Sequence, residues 1–211
     1  MNIDTRELAA ELAKHAHGRV PRELRRRQVI AEAERLFVER GFHATSMDEL
    51  ATRVGVSKPV IYDLVGSKEL LFHEIMTTIA DGLAARVGGA VAAESDPAKR
   101  LDAGALAFFE FVDDHRGAWE ALQSSESSPV STAIAGIRER QAALVVDLLT
   151  QGAEALGVAV EPIQIDAAAH AINGAFEALA SWWQGHPELA PADVAAPVSY
   201  THLTLPTILR V

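Results

Sequence analysis

The chain has 211 residues, of which 49% are hydrophobic and 6% aromatic, and it carries a formal net charge of −10. This length is enough for one large or two small domains with a hydrophobic core. The absence of cysteine excludes disulfides and thiol chemistry and fits a reducing cytosol. An alanine-rich composition with few strand-like runs predicts an all-α fold. No apolar run is long enough to cross a membrane, and the N-terminus lacks the apolar core of a signal peptide.

Charge is distributed unevenly along the chain. Residues 19–68 carry a net charge of +3, whereas residues 69–211 carry −12 and residues 1–18 carry −1. A basic segment in an acidic protein predicts that the segment meets a polyanion that the remainder repels. The alternative is an ordinary acidic protein with one basic helix start.

The first predicted element is a frayed helix in an N-terminal extension, residues 1–19, with Leu8 and Leu12 on one side. A longer helix is predicted from Glu23 to Arg40, and Gly41 ends it. An arginine run opens this helix, and we expect it either to contact phosphates without reading sequence or to be a solvated helix start. The arginines of the run are Arg19, Arg22, Arg25, Arg26 and Arg27.

Two short helices follow, joined by a glycine turn. Ser46 and Glu49 have the spacing of a capping box at the first helix start. Gly55 can adopt the left-handed conformation that ends this helix. Ser57 is a second predicted N-cap, and Pro59 lies in the next first turn, where proline loses no needed hydrogen bond.

The second short helix is predicted to meet an anionic surface. Lys58 and Tyr62 are four residues apart and therefore share its outward face with Pro59. A lysine in the first turn opposes the helix dipole, which favours a phosphate or a guanine edge as its partner. Ser67 caps the following helix, and Lys68 adds charge to backbone donors that already favour phosphate.

Longer helices are predicted over residues 67–88, 97–114, 130–156 and 165–184, with a short one near 118–123. Pro191 begins a final helix that breaks at Pro197. Residues 198–211 have a strand-like bias unlike anything before them. We hypothesise that this tail is non-native, from read-through of non-coding or adapter sequence.

No catalytic constellation is visible. The sequence has no glycine-rich phosphate loop, nucleophile elbow or zinc-ligand spacing. Asp113-Asp114-His115 could form a metal or acid–base cluster, but a histidine at a helix end is also favoured by the dipole. We therefore expect no enzyme activity, no cofactor and no metal.

The segment from Arg22 to Phe72 resembles the tetracycline-repressor (TetR) family. The resemblance lies in Gly41-Phe42-His43-Ala44-Thr45-Ser46-Met47, Gly55-Val56-Ser57-Lys58-Pro59, Ile61-Tyr62 and Gly66-Ser67-Lys68-Glu69-Leu70-Leu71-Phe72. It implies a three-helix helix-turn-helix domain over residues 20–66 and a helical effector-binding and dimerisation domain over 67–197. It also implies a cytoplasmic homodimer that binds a near-palindromic double-stranded DNA operator. Such a regulator would be a repressor released by a small organic effector.

The resemblance implies DNA-contact roles residue by residue. Lys58 would contact a base or a phosphate, and Tyr62 would contact a phosphate. Thr45 and Lys68 would anchor phosphates of the DNA. Leu64 departs from the family, because many members carry there a histidine or an aromatic residue, and leucine cannot donate a histidine's hydrogen bond. The predicted DNA-binding residues are Thr45, Ser46, Ser57, Lys58, Pro59, Tyr62, Lys68, Arg25 and Arg26.

An effector pocket is implied on the helices that enclose it in this family. Its candidates are Phe108, Phe109, Trp119, His170, Asn173 and Phe176, joined by Phe111 and Trp182. His170 and Asn173, three apart on an otherwise apolar helix, are the polar candidates, although aromatic residues at helical spacing are usually core. Trp182 and Trp183 could instead line a dimer surface. Two rival functions are a non-specific architectural DNA-binding protein and a ligand-binding module without DNA binding.

Overall fold

The computed structural model describes residues 5–15, 19–96, 99–117, 119 and 131–197. Within these ranges the protein consists of helices and turns without a β-strand, which confirms the all-α prediction. The predicted tail and, apart from Trp119, the predicted helix near 118–123 lie outside the described residues. The helices are α1 Thr5–Ala13, α2 Arg22–Ala44, α3 Met47–Val54, α4 Lys58–Val65, α5 Lys68–Ala93, α6 Arg100–Asp114, α7 Ser131–Leu156, α8 Pro162–Trp183 and α9 over 191–197.

The described residues form two compact units. The first draws on Met1–Gly82 and Gly117–Ala135, and the second on Leu83–Arg116 and Gly136–Val211. Helix α5 contributes to both units. The domain division at residue 66 stays a prediction.

The first unit is built around the apolar face of α2. Phe37 is fully buried and meets the ring of Phe72 edge-on, with centroids 5.1 Å apart. Phe42 closes the same cluster at 4.9 Å from Phe72. Gly41 has φ 73°, so it interrupts the helical conformation of α2 and turns Phe42 into the core. The predicted helix end at Gly41 is therefore confirmed.

Helix α1 packs against α2, whereas fraying of its ends stays a prediction. Leu8 is 4% exposed, and Glu11 accepts a 2.7 Å hydrogen bond from Arg27 of α2. The helix itself was predicted correctly from the spacing of Leu8 and Leu12. Its burial depends on the surface of α2, which local periodicity does not reveal.

The caps of α3 follow the prediction in part. Ser46 Oγ accepts from the backbone of Asp48 at 3.2 Å, which confirms the serine cap. The capping box was wrong, because the Glu49 carboxylate binds Arg40 and Arg53 instead of returning to the serine backbone. Gly55 is left-handed at φ 75° and donates its N–H to the last turn, as predicted.

The caps of the next two helices differ from each other. Ser57 occupies the N-cap position of α4 but its side chain makes no capping hydrogen bond, which corrects the prediction. Ser67 Oγ accepts from the backbone N–H of Leu70 at 3.2 Å, so the predicted cap of α5 is confirmed.

The second unit is organised by aromatic side chains of α6 and α8. Phe109 is fully buried and lies against Phe176 and Trp183, with ring centroids 5.5 and 5.9 Å away. Glu161 and Gln164 form a capping box at the start of α8. Helix α9 starts where Asp193 accepts a hydrogen bond from the backbone of Ala190, at 3.0 Å.

Candidate nucleic-acid interface

Helix α4 has one buried face and one exposed face. Ile61, Leu64 and Val65 are buried against the rest of the first unit. Lys58 and Tyr62 are exposed, with Tyr62 at 42% of its surface. Because α4 packs along its inner face, its outer face presents these side chains to solvent in the way that a major-groove reading helix requires.

Lys58 is held by an acidic residue of α3. Its Nζ lies 2.9 Å from Oδ1 of Asp48 and 3.0 Å from Oδ2. The hydrogen bond that Lys58 donates to Asp48, together with the negative charge of Asp48, raises the pKa of Lys58 above the usual lysine value. Lys58 is therefore a full cation over the neutral range. This pair could not be predicted from the sequence, since residues ten apart in two helices share no local pattern.

Thr45 is placed differently from its predicted role. The residue is 3% exposed, and its hydroxyl donates to the carbonyl oxygen of Gly41 at 2.8 Å. The side chain thereby secures the break between α2 and α3. A DNA contact by this hydroxyl stays a prediction, and its burial does not favour it. Ser46, Ser57 and Pro59 are exposed.

Lys68 is partly buried at the start of α5. Its Nζ lies 4.5 Å from the centre of the Phe42 ring and donates to the carbonyl of His43 at 3.3 Å. Burial lowers its pKa below the usual lysine value. Phosphate anchoring by Lys68 stays a prediction.

The arginine run has intramolecular partners on four different helices. Arg22 binds Asp63 of α4, and Arg25 donates to the carbonyl of Val54 in α3 at 3.3 Å. Arg26 binds Glu74 of α5 at 2.7 Å, and Arg27 binds Glu11 of α1. We name these four residues the arginine hub. They connect α2 to the rest of the first unit, so neither a solvated helix start nor a row of free cations describes them. DNA contacts by Arg25 and Arg26 stay predictions.

A further ion network went unnoticed in the sequence. Arg53 binds Glu32 and Glu39 of α2 at 3.1 and 3.0 Å, and Glu49 of α3 at 3.1 Å. The hydrogen bonds that Arg53 donates to Glu39 and Glu32 raise its pKa above the usual arginine value. Arg53 in turn lowers the pKa of Glu39. The four-residue spacing of Glu49 and Arg53 was the available signal. The network fixes α3 on α2 and thereby supports the turn that positions α4.

The predicted effector residues differ in burial and in their neighbours. Phe108, Phe109 and Phe176 lie together, with Phe108 and Phe176 centroids 4.9 Å apart. Asn173 is half-buried, and its Nδ2 is buried without a hydrogen-bond partner. His170 is exposed, and its ring nitrogen lies 3.0 Å from the carbonyl of Asp166.

His170 and Asn173 therefore differ in burial; a role in an effector pocket stays a prediction for each of them, and exposure does not favour it for His170. Residues three apart on an α-helix differ in direction by about 60°, which is enough to leave His170 exposed and Asn173 half-buried. Trp119 is half-buried and groups with the first unit. Phe111 is buried and stacks on His115.

The adjacent tryptophans also differ. Trp183 is fully buried, donates from Nε1 to Leu189 at 3.0 Å, and is covered by the guanidinium of Arg116 at 4.3 Å. It is a core residue, so its assignment to a dimer surface was wrong. Trp182 is 50% exposed and stacks on His186. A dimer contact by Trp182 stays a prediction.

Other chemistry finds little support among the described residues. Asp113 binds Arg116, Asp114 binds Arg86, and His115 stacks on Phe111, so this cluster has structural partners. No group of three metal-ligating side chains comes together in the part of the chain that the structure describes. Across the same ranges, no helix is long and apolar enough to cross a membrane.

The fold and the exposed α4 face define a helix-turn-helix protein with a separate helical unit. Residues 29–75 match the family described as bacterial regulatory proteins, tetR family, and residues 97–200 match the tetracyclin repressor-like C-terminal domain. The chain belongs to the TetR family and is a DNA-binding transcriptional regulator.

Its relatives include two named regulators. The HTH-type transcriptional activator FasR of Mycolicibacterium smegmatis is 32% identical over 74% of this chain and 76% of its own length. The HTH-type transcriptional repressor KstR2 of Mycobacterium tuberculosis is 29% identical over 62% of this chain and 67% of its own. The fold is shared with FadR from Bacillus subtilis, solved in complex with stearoyl-CoA, at TM-score 0.71 and 16% identity, covering 82% of this chain and 95% of FadR.

Proposed function

We propose that this regulator is a homodimeric repressor that binds a near-palindromic operator and is released by a small organic effector. The observation that carries the DNA-binding part is the exposed first turn of α4. It presents Lys58 and Tyr62 on one side while Ile61 and Leu64 hold the opposite side in the core. This arrangement lets the helix enter a major groove without unfolding any of its support.

Dimerisation is supported by the exposed apolar surface of α8. Ile163 is 73% exposed and Trp182 is 50% exposed. Both lie on a helix that buries other side chains in the core. Exposed tryptophan is enriched at protein interfaces. A two-fold dimer would place two α4 helices one helical turn of DNA apart, about 34–36 Å, so the operator would consist of two inverted half-sites.

An organic effector is supported by the aromatic side chains between α6 and α8. Phe108, Phe109 and Phe176 provide an apolar surface, and Asn173, three residues before Phe176 on α8, offers a buried Nδ2 that has no hydrogen-bond partner. Apolar walls with few polar groups are typical of small-molecule sites. The acyl-CoA in the FadR structure makes stearoyl-CoA a suitable first probe for this unit.

Repression is one direction of control, and the relatives provide examples of both directions. KstR2 is named a repressor, whereas FasR is named an activator. Activation is therefore the second candidate. A reporter driven by the gene's own upstream region separates the two, because loss of a repressor raises expression and loss of an activator lowers it.

The DNA-binding proposal is tested by enrichment from a random duplex pool at moderate salt. We expect one near-palindromic sequence to be enriched and to resist competition by excess unrelated DNA. Retention of DNA without any enriched sequence would instead support the architectural alternative. No retention even at low salt, where phosphate contacts are strongest, would support a ligand-binding module.

A further inference from the structure

Lys58, the cation at the start of the recognition helix α4, already has an ion-pair partner within the protein. Asp48, the second residue of α3, places both carboxylate oxygens around Nζ of Lys58, at 2.9 and 3.0 Å. The side chains are 65% and 51% exposed, so the pair lies on the surface that α4 offers to DNA. Any phosphate or guanine that binds Lys58 must therefore compete with Asp48 for the ammonium group or share that group with Asp48.

We propose that Asp48 is an intramolecular competitor for Lys58 and thereby limits the DNA affinity of this regulator. The inference rests on the proposed role of Lys58 as a DNA contact. Two effects act in the same direction. The ion pair must be weakened for Lys58 to reach DNA, and the carboxylate then stays within several ångströms of a phosphate of like charge.

Asp48 is not needed to hold α3 against α4. The cap of α3 uses the hydroxyl of Ser46 and the backbone N–H of Asp48, which any residue at this position provides. The packing of the two helices is carried by buried apolar side chains such as Leu50, Val54 and Ile61. Exposed ion pairs contribute little to stability. Asp48→Asn should consequently leave the fold intact while it frees Lys58.

The other end of α4 provides a matched control. Asp63 pairs with Arg22 and is 66% exposed, much as Asp48 is. Arg22, however, also donates to the backbone carbonyl of Asp63 at 2.8 Å. Asp63→Asn therefore removes the same charge from the same surface, but its cation remains held by the main chain.

The experiment measures operator affinity of the full chain by fluorescence anisotropy over a range of salt concentrations. The variants are Asp48→Asn, Lys58→Ala, their double variant and Asp63→Asn, each checked by thermal melting. We expect Asp48→Asn to tighten binding about three- to tenfold at low salt. The slope of log affinity against log salt should steepen by about one, because Lys58 then neutralises a phosphate without an opposing carboxylate.

The double variant decides between local release and overall charge. In the Lys58→Ala background, Asp48→Asn should gain clearly less affinity than it does beside Lys58, because only the repulsion between carboxylate and phosphate is then relieved. Asp63→Asn should also give a clearly smaller gain than Asp48→Asn. Unchanged or weaker binding by Asp48→Asn overturns the inference, and so does an equal gain without Lys58. If Lys58→Ala weakens binding while Asp48→Asn does not tighten it, the inference fails alone. If Lys58→Ala has no effect, the proposed role of Lys58 fails with it.

Discussion

Nη2 of Arg26 lies 2.7 Å from both carboxylate oxygens of Glu74, and this contact ties the start of α2 to the first third of α5. Arg26 was expected to touch phosphate. Its intramolecular partner lies 48 residues further along the chain. The other three members of the arginine hub also have partners within the protein, and each of the four arginines binds a different helix. A basic run at a helix start can therefore stabilise the packing of a DNA-binding unit.

The Arg26–Glu74 pair predicts a measurable coupling in stability. We expect Arg26→Ala and Glu74→Ala each to lower the free energy of unfolding by about 1 kcal/mol, since both side chains are half-buried. The free energy of unfolding of the double variant should lie within about a few tenths of a kcal/mol of that of either single variant. Denaturant titration of the four proteins gives the cycle, and fully additive losses would contradict a specific pair.

The buried and exposed tryptophans of α8 offer a second comparison. Trp183→Phe removes the Nε1–H group that donates to the carbonyl oxygen of Leu189, and it leaves space beneath Arg116. The two losses together should cost about 2 kcal/mol of stability. Trp182→Phe should change the monomer by less than about 0.5 kcal/mol, because its ring is half exposed. Equal losses for the two variants, measured by chemical denaturation at fixed protein concentration, would contradict these placements.

Glu69 predicts a pH dependence at the start of α5. Its pKa lies below the usual 4.5, because its own backbone N–H and the Ser67 hydroxyl donate to the carboxylate. The stabilisation is therefore fully present above 4.5 and is lost as the pH falls through the lowered folded-state pKa.

The measurement compares wild type with Glu69→Gln by denaturation between pH 7 and pH 3. The difference in stability should be constant at neutral pH and shrink below about pH 4.5. In the Glu69→Gln background, Ser67→Ala should no longer alter the shape of the acid limb. A difference that grows as the pH falls would contradict the assigned sign.

Asn173 predicts a trade between stability and effector response. Asn173→Leu removes a buried amide group without a hydrogen-bond partner, so stability should rise by about 1 kcal/mol. Release of DNA by stearoyl-CoA should weaken at the same time, if the amide binds an oxygen of the ligand. His170→Leu is the matched control on the same helix, since His170 is exposed and should leave both unchanged. Lower stability with an unaltered response would contradict the role of Asn173.

Much of the fold could be predicted because it depends on local patterns. Helical periodicity located α2 to α8 within a few residues, and Gly41 and Gly55 marked helix ends because a positive φ is a local requirement. The burial of Leu8 and Trp183 could not be predicted, since it depends on surfaces supplied by distant segments.

The candidate site shows the same division between local and distant information. The outward direction of Lys58 and Tyr62 follows from a four-residue spacing, and the structure places both on the exposed side of α4. The partners of Lys58, Arg26 and Thr45 depend on tertiary contacts. Sequence alone therefore identified which side chains could meet DNA, but not which of them already had partners in the protein.

The most direct test of the account is the affinity of Lys58→Ala and Tyr62→Phe for the enriched operator. Gel-shift titration of both variants against wild type is sufficient, and Lys99→Ala, an exposed lysine on the second unit, is the charge-matched control. We predict weaker binding by about 5- to 150-fold for Lys58→Ala and about two- to tenfold for Tyr62→Phe, with Lys99→Ala unchanged. Wild-type affinity in both α4 variants would contradict the assignment of this helix as the DNA-reading element.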